Sequence, residues 1–334
     1  MLVESAVAWS EEEISTLTAK VAALKASMGR VIIGQQNVID SLIICLLAGG
    51  HALVEGVPGL GKTLLVKSLS QATDMDFHRV QFTPDLMPSD IVGTEILEED
   101  HVTRKREFHF QKGPVFTQVL LADEINRAPP KTQSALLEAM QERSVTFAGQ
   151  THRLPSPFFV LATQNPIEQA GTYPLPEAQL DRFLLRIDVV YPSEDEEIQM
   201  VSATTHGGLR DAEPVMDVPT LLRLQQLVRD IEIGEHLLRY ATRLVRATRP
   251  AHTDVPAVKK HIGWGAGPRA GQSLVLASKG RALMHGRLAV TREDIAEMLL
   301  PVLAHRVLRN FEAEADGVAI ADILAALREH VRPE

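Results

Sequence analysis

Gly56-Val57-Pro58-Gly59-Leu60-Gly61-Lys62-Thr63 is the stretch whose reading decides the fold. It matches G-x-x-x-x-G-K-[ST], and its surroundings fit that pattern. His51-Ala-Leu-Val-Glu55 before it reads as a short apolar strand, and the chain after it reads as a helix from Lys62 to about Gln71. A glycine loop between strand and helix lets successive backbone N–H groups converge on phosphates, and the helix N-terminus adds a favourable dipole. Lys62 is expected to reach the β- and γ-phosphates of ATP, and Thr63 to offer its hydroxyl to Mg2+. The expected nucleotide contacts run from Gly56 through Val57, Pro58, Gly59, Leu60, Gly61, Lys62 and Thr63 to Leu64.

A second strand supplies the complementary half of such a site. Val119-Leu-Leu-Ala-Asp123-Glu124 is apolar until it ends in two acids. In a parallel sheet that end lies beside the loop after the first strand. Asp123 is then a metal-holding carboxylate, and Glu124 a general base for the attacking water. Thr163-Gln-Asn165 ends a further strand, Phe158–Thr163. Asn165 can orient water near the γ-phosphate, or it can merely make a turn at Asn165-Pro166.

Further out, short apolar strands alternate with helices. Strands are expected at His78–Phe82 and Leu184–Val189, and helices at residues 11–28, 35–48 and 131–142, the last after Pro129-Pro130. This alternation predicts a parallel sheet flanked by helices. Two hairpins interrupt it. Ile91–Leu97 and Arg106–Phe110 flank a polar tip, and Val145–Ala148 and Thr151–Leu154 flank Gly149-Gln150, a turn with glycine first. Beyond Tyr191-Pro192 the pattern is helical. Ser193 with Glu196, and Thr291 with Asp294, have the spacing of capped helix starts. Further helices are expected over 219–231, 235–248, 268–285 and 291–304. Residues 205–219, rich in Gly, Pro and acid, read as a linker. The expected domains are residues 1–206, an α/β core, and 207–334, a small all-α lid.

Composition narrows the class. The 334 residues carry 34 Lys+Arg against 43 Asp+Glu, net -9, with 45% apolar residues, which excludes a disordered or low-complexity chain. The single cysteine, Cys45, rules out an intrachain disulfide. The acidic N-terminus is unlike a secretory signal, and no apolar run approaches the ~18 residues of a membrane span. A cytoplasmic protein is expected. Residues 221–290 hold 12 basic and 4 acidic side chains, net +8. That stretch is either a nucleic-acid face or a basic surface packed on an acidic neighbour. The lack of interleaved aromatics favours the second. His101, His206 and His261 show no ligand spacing, so no structural zinc is expected.

With these motifs in hand, the chain resembles the MoxR family of AAA+ ATPases. The lines EGVPGLGKT, QFTPDLMPSDIVGTE, LLADEINRAPPKTQSALLEAMQE, ATQNPIEQAGTYPLPEAQLDRF and GAGPRA carry the resemblance, which runs from about Val31 to about Asn310. It implies an AAA+ P-loop core with inserted β-hairpins and a helical lid. It implies that Ile32 and Ile33 pack against adenine, that Asn165 is the sensor-1 residue, and that Arg269 reaches the γ-phosphate from the lid. Arg182 would be an arginine finger acting on a neighbouring subunit's ATP, although Arg182 beside Asp181 also reads as a surface ion pair and Arg269 as a plain first-turn residue. The family's expected Ser before Pro268-Arg269 is Gly267 here. The resemblance further implies a ring, expected to hold six subunits. The ring would remodel or mature a client protein complex, a von Willebrand factor A domain protein being one candidate and metal-cofactor insertion one task. A nucleic-acid motor and a slow ATP-dependent assembly switch are the alternatives.

Overall fold

The computed structural model describes residues 9–57, 59–99, 106–165, 171–205 and 211–332. Two long helices open the chain, α1 (Glu11–Val31) and α2 (Gln36–Leu47). Strand β1 (Ala52–Gly56), helix α3 (Lys62–Ala72) and strand β2 (Phe77–Gln81) follow. After them come α4 (Pro88–Val92), the hairpin β3 (Gly93–Glu99) and β4 (Arg106–Lys112), then β5 (Val119–Asp123) and α5 (Pro130–Glu142). A second hairpin, β6 (Ser144–Phe147) and β7 (Gln150–Arg153), precedes β8 (Phe159–Gln164), α6 (Glu177–Leu180) and β9 (Leu185–Val189). The rest is mainly helical: α7 (Glu194–Thr205), α8 (Val218–Asp230), α9 (Glu235–Ala247), α10 (Pro256–His261), α11 (Pro268–Met284), α12 (Arg292–Leu303), α13 (Phe311–Ala315) and α14 (Ile320–His330). The short strands β10 (Ile262–Trp264) and β11 (Leu308–Arg309) add an antiparallel ladder among the lid helices.

The central sheet has the order β2-β5-β8-β1-β9 and is parallel throughout. Its strands are apolar on both faces because helices cover both. Leu53, Leu120, Ala122, Val160 and Ala162 point to the side that holds Leu136, Leu137 and Met140 of α5. Ala52, Val54, Val119, Leu121, Phe159 and Leu161, one residue out of phase, point to a core shared with α1, α2, α3 and the lid. Helix α2 is apolar nearly all round because sheet and lid enclose it; Ile43, Ile44, Cys45, Leu46 and Leu47 are all buried. Gly280 of α11 lets that helix sit close to α2, where a Cβ would lie 3.1 Å from the Ile44 carbonyl oxygen.

Three sequence expectations need correction. The second hairpin turns at Ala148-Gly149, not Gly149-Gln150. Phe147 pairs with Gln150, and both turn residues have positive φ, +47° and +81°. This is the mirror-image type I turn, which matches strand twist. The first hairpin's leading strand is shifted, running from Gly93 to Glu99 because Ile91 and Val92 belong to α4, and its second strand extends beyond Phe110 to Lys112. Its tip, 100–105, lies outside the described residues, as does His101. The 205–219 segment is packed in its described part. Ser27 Oγ donates to the Glu213 carbonyl at 2.9 Å, Val215 N donates to the Ala72 carbonyl at 3.0 Å, and Met216 is buried. The 206/207 boundary and His206 fall in 206–210, outside the described residues.

Much of the basic stretch is engaged inside the molecule. Arg223 of α8 pairs with Glu13 of α1 at 2.6 Å and lies over the Trp9 ring. Arg281 and Arg287 both converge on Asp294, the fully buried N3 residue of the α12 capping box, at 2.6 Å. Burial opposes the Asp294 charge, but hydrogen bonds from Arg287, Thr291 and Arg281 overcome it and hold the carboxyl down at about 2. Removing one partner of such a buried cluster strands the others. Asp294→Ala is therefore expected to destabilise the lid by about 3–5 kcal/mol in denaturant unfolding. Because the folded pKa is depressed, the wild-type contribution is complete above pH ~4 and fades as pH falls toward 2. A variant whose acid sensitivity matched wild type across that window would contradict this role.

Candidate nucleotide site

The glycine loop hangs from the C-terminal end of β1, and sequence identity at each glycine has a visible reason. Gly56 passes so close to β9 that a Cβ would meet the Val189 carbonyl oxygen at 2.7 Å. Gly59 and Gly61 take φ of +88° and +73°, the left-handed region that favours glycine, and a Cβ at either would face open space. Gly61 is the N-cap of α3, so Lys62, Thr63 and Leu64 form that helix's first turn. The Lys62 ammonium turns back onto the Gly56 carbonyl. Burial pulls it below the ordinary lysine range, against the attraction of Asp123, Glu124 and Glu55. The Thr63 hydroxyl has no hydrogen-bond partner among the described residues. Pro58 lies outside them.

Sheet order brings the acids to this loop. Asp123 ends β5, Asn165 follows β8, and β8 lies between β5 and β1. Glu55 pairs with Gln164, so buried Asn165 sits level with Gly56. The turn expected at Asn165-Pro166 involves 166–170, outside the described residues. Thr163, buried in β8, ties the two acids together. Its hydroxyl donates to Asp123 Oδ1 at 2.6 Å and accepts from the Glu124 amide at 2.8 Å. That amide is presented by a left-handed backbone at Glu124, φ +56°, an uncommon conformation for this residue type.

Three partners of the acids were not picked out in the sequence. Arg79 of β2 donates to Asp123 Oδ2 at 2.7 Å, and Gln81, level with Asp123 on the neighbouring strand, donates to Glu124 Oε2 at 2.9 Å. Arg127 pairs with the same Glu124 oxygen at 2.8 Å. The first two follow from β2 lying beside β5, a neighbour relation that no local pattern encodes. The signal was nevertheless available: polar residues at alternate positions Arg79 and Gln81 of an otherwise sheet-bound strand.

The adenine segment borders the loop. Ile32 is buried and caps α1, Gln35 Nε2 lies 3.4 Å from the Leu60 carbonyl, and Gly34 abuts the Glu196 side chain of α7. Ser193 and Glu196 form the expected cap there. Arg269 is exposed in the first turn of α11 with no hydrogen-bond or ion-pair partner among the described residues. Gly267 is the N-cap of that helix, with room for the Ser expected there.

Arg182 is elsewhere. It precedes β9, whose Leu185 pairs with Ala52 at the start of β1. The parallel strand β9 spans about 16 Å, so Arg182 lies at the opposite edge of the sheet from the glycine loop. Its Nη1 donates to the Leu137 carbonyl of α5 at 2.5 Å, and its Nε is buried without a partner among the described residues. Asp181 does not pair with it; that carboxylate binds Arg306 of the lid at 2.7 Å. Among the described residues no group of three His, Cys, Asp or Glu side chains could hold a metal unaided. The donor set at the loop is instead oxygen-only, Thr63 and Asp123. It suits a magnesium ion whose remaining ligands are phosphate and water.

A glycine loop opening a helix, two acids at the end of the strand next but one, and an amide at the end of the strand between them define a P-loop nucleotide-binding core. Residues 51–185 match the model of the ATPase family associated with various cellular activities, and residues 256–327 match the AAA lid domain. The chain is 43% identical to the chaperone MoxR1 of Mycobacterium tuberculosis, over 92% of this chain and 79% of that one. It is 33% identical to the protein MoxR of Paracoccus denitrificans, over 95% and 97%. A crystal structure of a protein from Cytophaga hutchinsonii, described as a candidate ATPase, superposes with a TM-score of 0.89 at 41% identity, covering 97% of this chain and 98% of that one. The chain belongs to the MoxR family of AAA+ ATPases.

Proposed function

We propose that this chain binds and hydrolyses ATP at a site completed by a second copy of itself, and that the cycle remodels a client protein. The observation that carries the proposal is the division of the site. Lys62, Thr63, Asp123, Glu124 and Asn165 gather at one edge of the sheet, while Arg182 lies at the other. An arginine there reaches a triphosphate only on a neighbour, which calls for a closed ring, with six subunits as the proposed number. Lys62 and the loop amides grip the β- and γ-phosphates, and the open space at Gly59 and Gly61 leaves room for them. Thr63 and Asp123 would hold Mg2+, which draws off charge from the phosphates. Glu124 accepts the proton of the attacking water, and Asn165 orients that water. Ile32 and Ile33 receive the base, and Arg269, uncommitted in α11, extends toward the γ-phosphate from the lid.

The relative named a chaperone supports a protein client. We propose a partner complex of the kind that receives a metal cofactor, with a von Willebrand factor A domain protein as its companion, in the cytoplasm. Nucleic acid is not the proposed partner, given a net charge of -9 and the internal pairing of Arg223, Arg281 and Arg287. No helix among the described residues is long and apolar enough to cross a membrane. Sedimentation tests the assembly. A non-hydrolysable ATP analogue should shift wild type toward the ring by linkage and leave Lys62→Ala unshifted. A wild-type chain that stays monomeric at tens of micromolar, with analogue bound, would count against the shared site.

A further inference from the structure

We propose that Arg306 of the lid is a positioning residue for Arg182: it clamps the segment that presents Arg182 to the neighbouring subunit. This rests on the reading of Arg182 as an arginine finger acting in trans. The segment concerned is Asp181 to Leu184, between α6 and β9. It has no regular structure of its own, and Arg182 must still be held in one place to act.

Arg306 lies between α12 and β11 with its side chain almost wholly buried, 2% exposed. A cation in that position must be fully engaged, and four of its six hydrogen bonds go to the finger segment, the other two to the Val302 carbonyl and Ser273 Oγ of the lid. Its Nε donates to Asp181 Oδ1 at 2.7 Å. Its Nη2 donates to the Phe183 carbonyl at 2.5 Å and the Asp181 carbonyl at 3.3 Å, and its Nη1 donates to the Leu184 carbonyl at 3.1 Å. The residue beside it repeats the pattern. His305 Nε2 donates to the same Phe183 carbonyl at 3.0 Å. Burial and the neighbouring Arg306 cation hold the His305 imidazole neutral, well below its ordinary pKa. Thus two consecutive lid residues bracket Arg182 through the residues before and after it. On the sheet side, the Leu184 amide is fixed to the His51 carbonyl at 2.7 Å.

The same guanidinium reaches back into the lid. Nη2 donates to Ser273 Oγ of α11 at 3.1 Å. Ser273 is one helical turn from Arg269 on the same face of α11. One rigid helix therefore carries both the arginine aimed at this subunit's own nucleotide and the hydroxyl that braces the clamp on the finger meant for the next subunit. A planar, five-donor group suits this role; lysine cannot reproduce its fork. No step of ATP chemistry needs Arg306 itself, which touches neither phosphate loop nor metal residues.

Misplacing a catalytic group by about 1 Å can cost about 10²-fold in rate. Arg306→Lys should therefore lower kcat by about that factor and leave the ATP KM unchanged. Asp181→Asn, a gentler change at a part-exposed position, should move kcat the same way by less. Subunit mixing separates positioning from damage. The Arg306→Lys chain keeps a working phosphate loop and offers a poor finger. Mixed with Lys62→Ala, which has a working finger and no phosphate grip, it should regain activity. Mixed with Arg182→Ala, which lacks the same function, it should not. Rescue by Arg182→Ala but not by Lys62→Ala would overturn the proposal, because it would place the defect in the variant's own nucleotide site. Rescue by neither would also overturn it, pointing to general loss of structure, and Asp181→Asn in the same two mixtures guards against that outcome arising from misfolding of one variant. A mixture of Arg182→Ala with Lys62→Ala, run in parallel, tests the trans finger itself. Failure there refutes the shared site and this inference with it, whereas success there with the wrong pattern for Arg306→Lys refutes the clamp alone.

Discussion

Arg182→Ala is expected to bind ATP with near wild-type affinity and to hydrolyse it about 10³–10⁵-fold more slowly, the contribution of an arginine finger in phosphoryl transfer. The split between binding and turnover follows from geometry. Arg182 touches Leu137 of α5 and lies about the length of a strand away from its own chain's glycine loop. Its loss removes nothing from the phosphate grip of the same subunit. In the transition state it would neutralise charge building on the neighbour's phosphates, which ground-state binding barely registers. Fluorescent nucleotide titration and steady-state turnover on the same preparation separate the two quantities. A variant that lost affinity and rate together would place Arg182 in its own site.

Glu124→Gln is expected to lower kcat by about 10²–10⁴-fold, the usual worth of a general base, while ATP, metal and assembly persist. The glutamine keeps the shape of the side chain and can stay beside Arg127 and Gln81, but it cannot accept the water's proton. The hydrogen bond that the Glu124 backbone N–H donates to Thr163 Oγ1 does not involve the carboxylate and survives the change. The chain then rests in its ATP-bound state. A client gripped in that state should be retained by Glu124→Gln and not by Lys62→Ala, which never reaches it. Equal retention by both would remove nucleotide dependence from the client interaction. Material released by nuclease and steeply by salt would instead favour the nucleic-acid motor.

The halves of this site that lie within one short pattern were legible in the sequence. Gly56 to Thr63 sits between a strand and a helix whose periodicities differ, and Val119 to Glu124 changes from apolar to acidic in one step. Strand β5 has the boundaries read for it, and α3 differs by one residue. What escaped was what depends on which strands are neighbours. Arg79 and Gln81 reach the acids because β2 lies beside β5, and Thr163 bridges them because β8 does too. The partner of Asp181 escaped for the same reason. Arg182, adjacent in sequence, was the natural partner to weigh, yet Arg306, 125 residues on, holds that carboxylate. The hairpin turn at Ala148-Gly149 was misplaced by one residue, because glycine satisfies either position and only pairing of Phe147 with Gln150 decides between them. In the lid, α10, α13, α14 and the β10–β11 ladder were not read at all. These elements are short or depend on packing against each other, so local periodicity says little about them.

The division of one ATP site between two copies of the chain is tested most directly by measuring turnover in mixtures of Lys62→Ala and Arg182→Ala. Each protein alone should be nearly inactive, one for want of phosphate grip and the other for want of a finger. In mixed rings, an Arg182→Ala phosphate loop facing a Lys62→Ala finger makes a complete site, so activity should appear on mixing and peak near equal proportions. If the two proteins exchange subunits, shown by energy transfer between labelled chains, and turnover stays at the level of the separate variants at every ratio, the site is not shared.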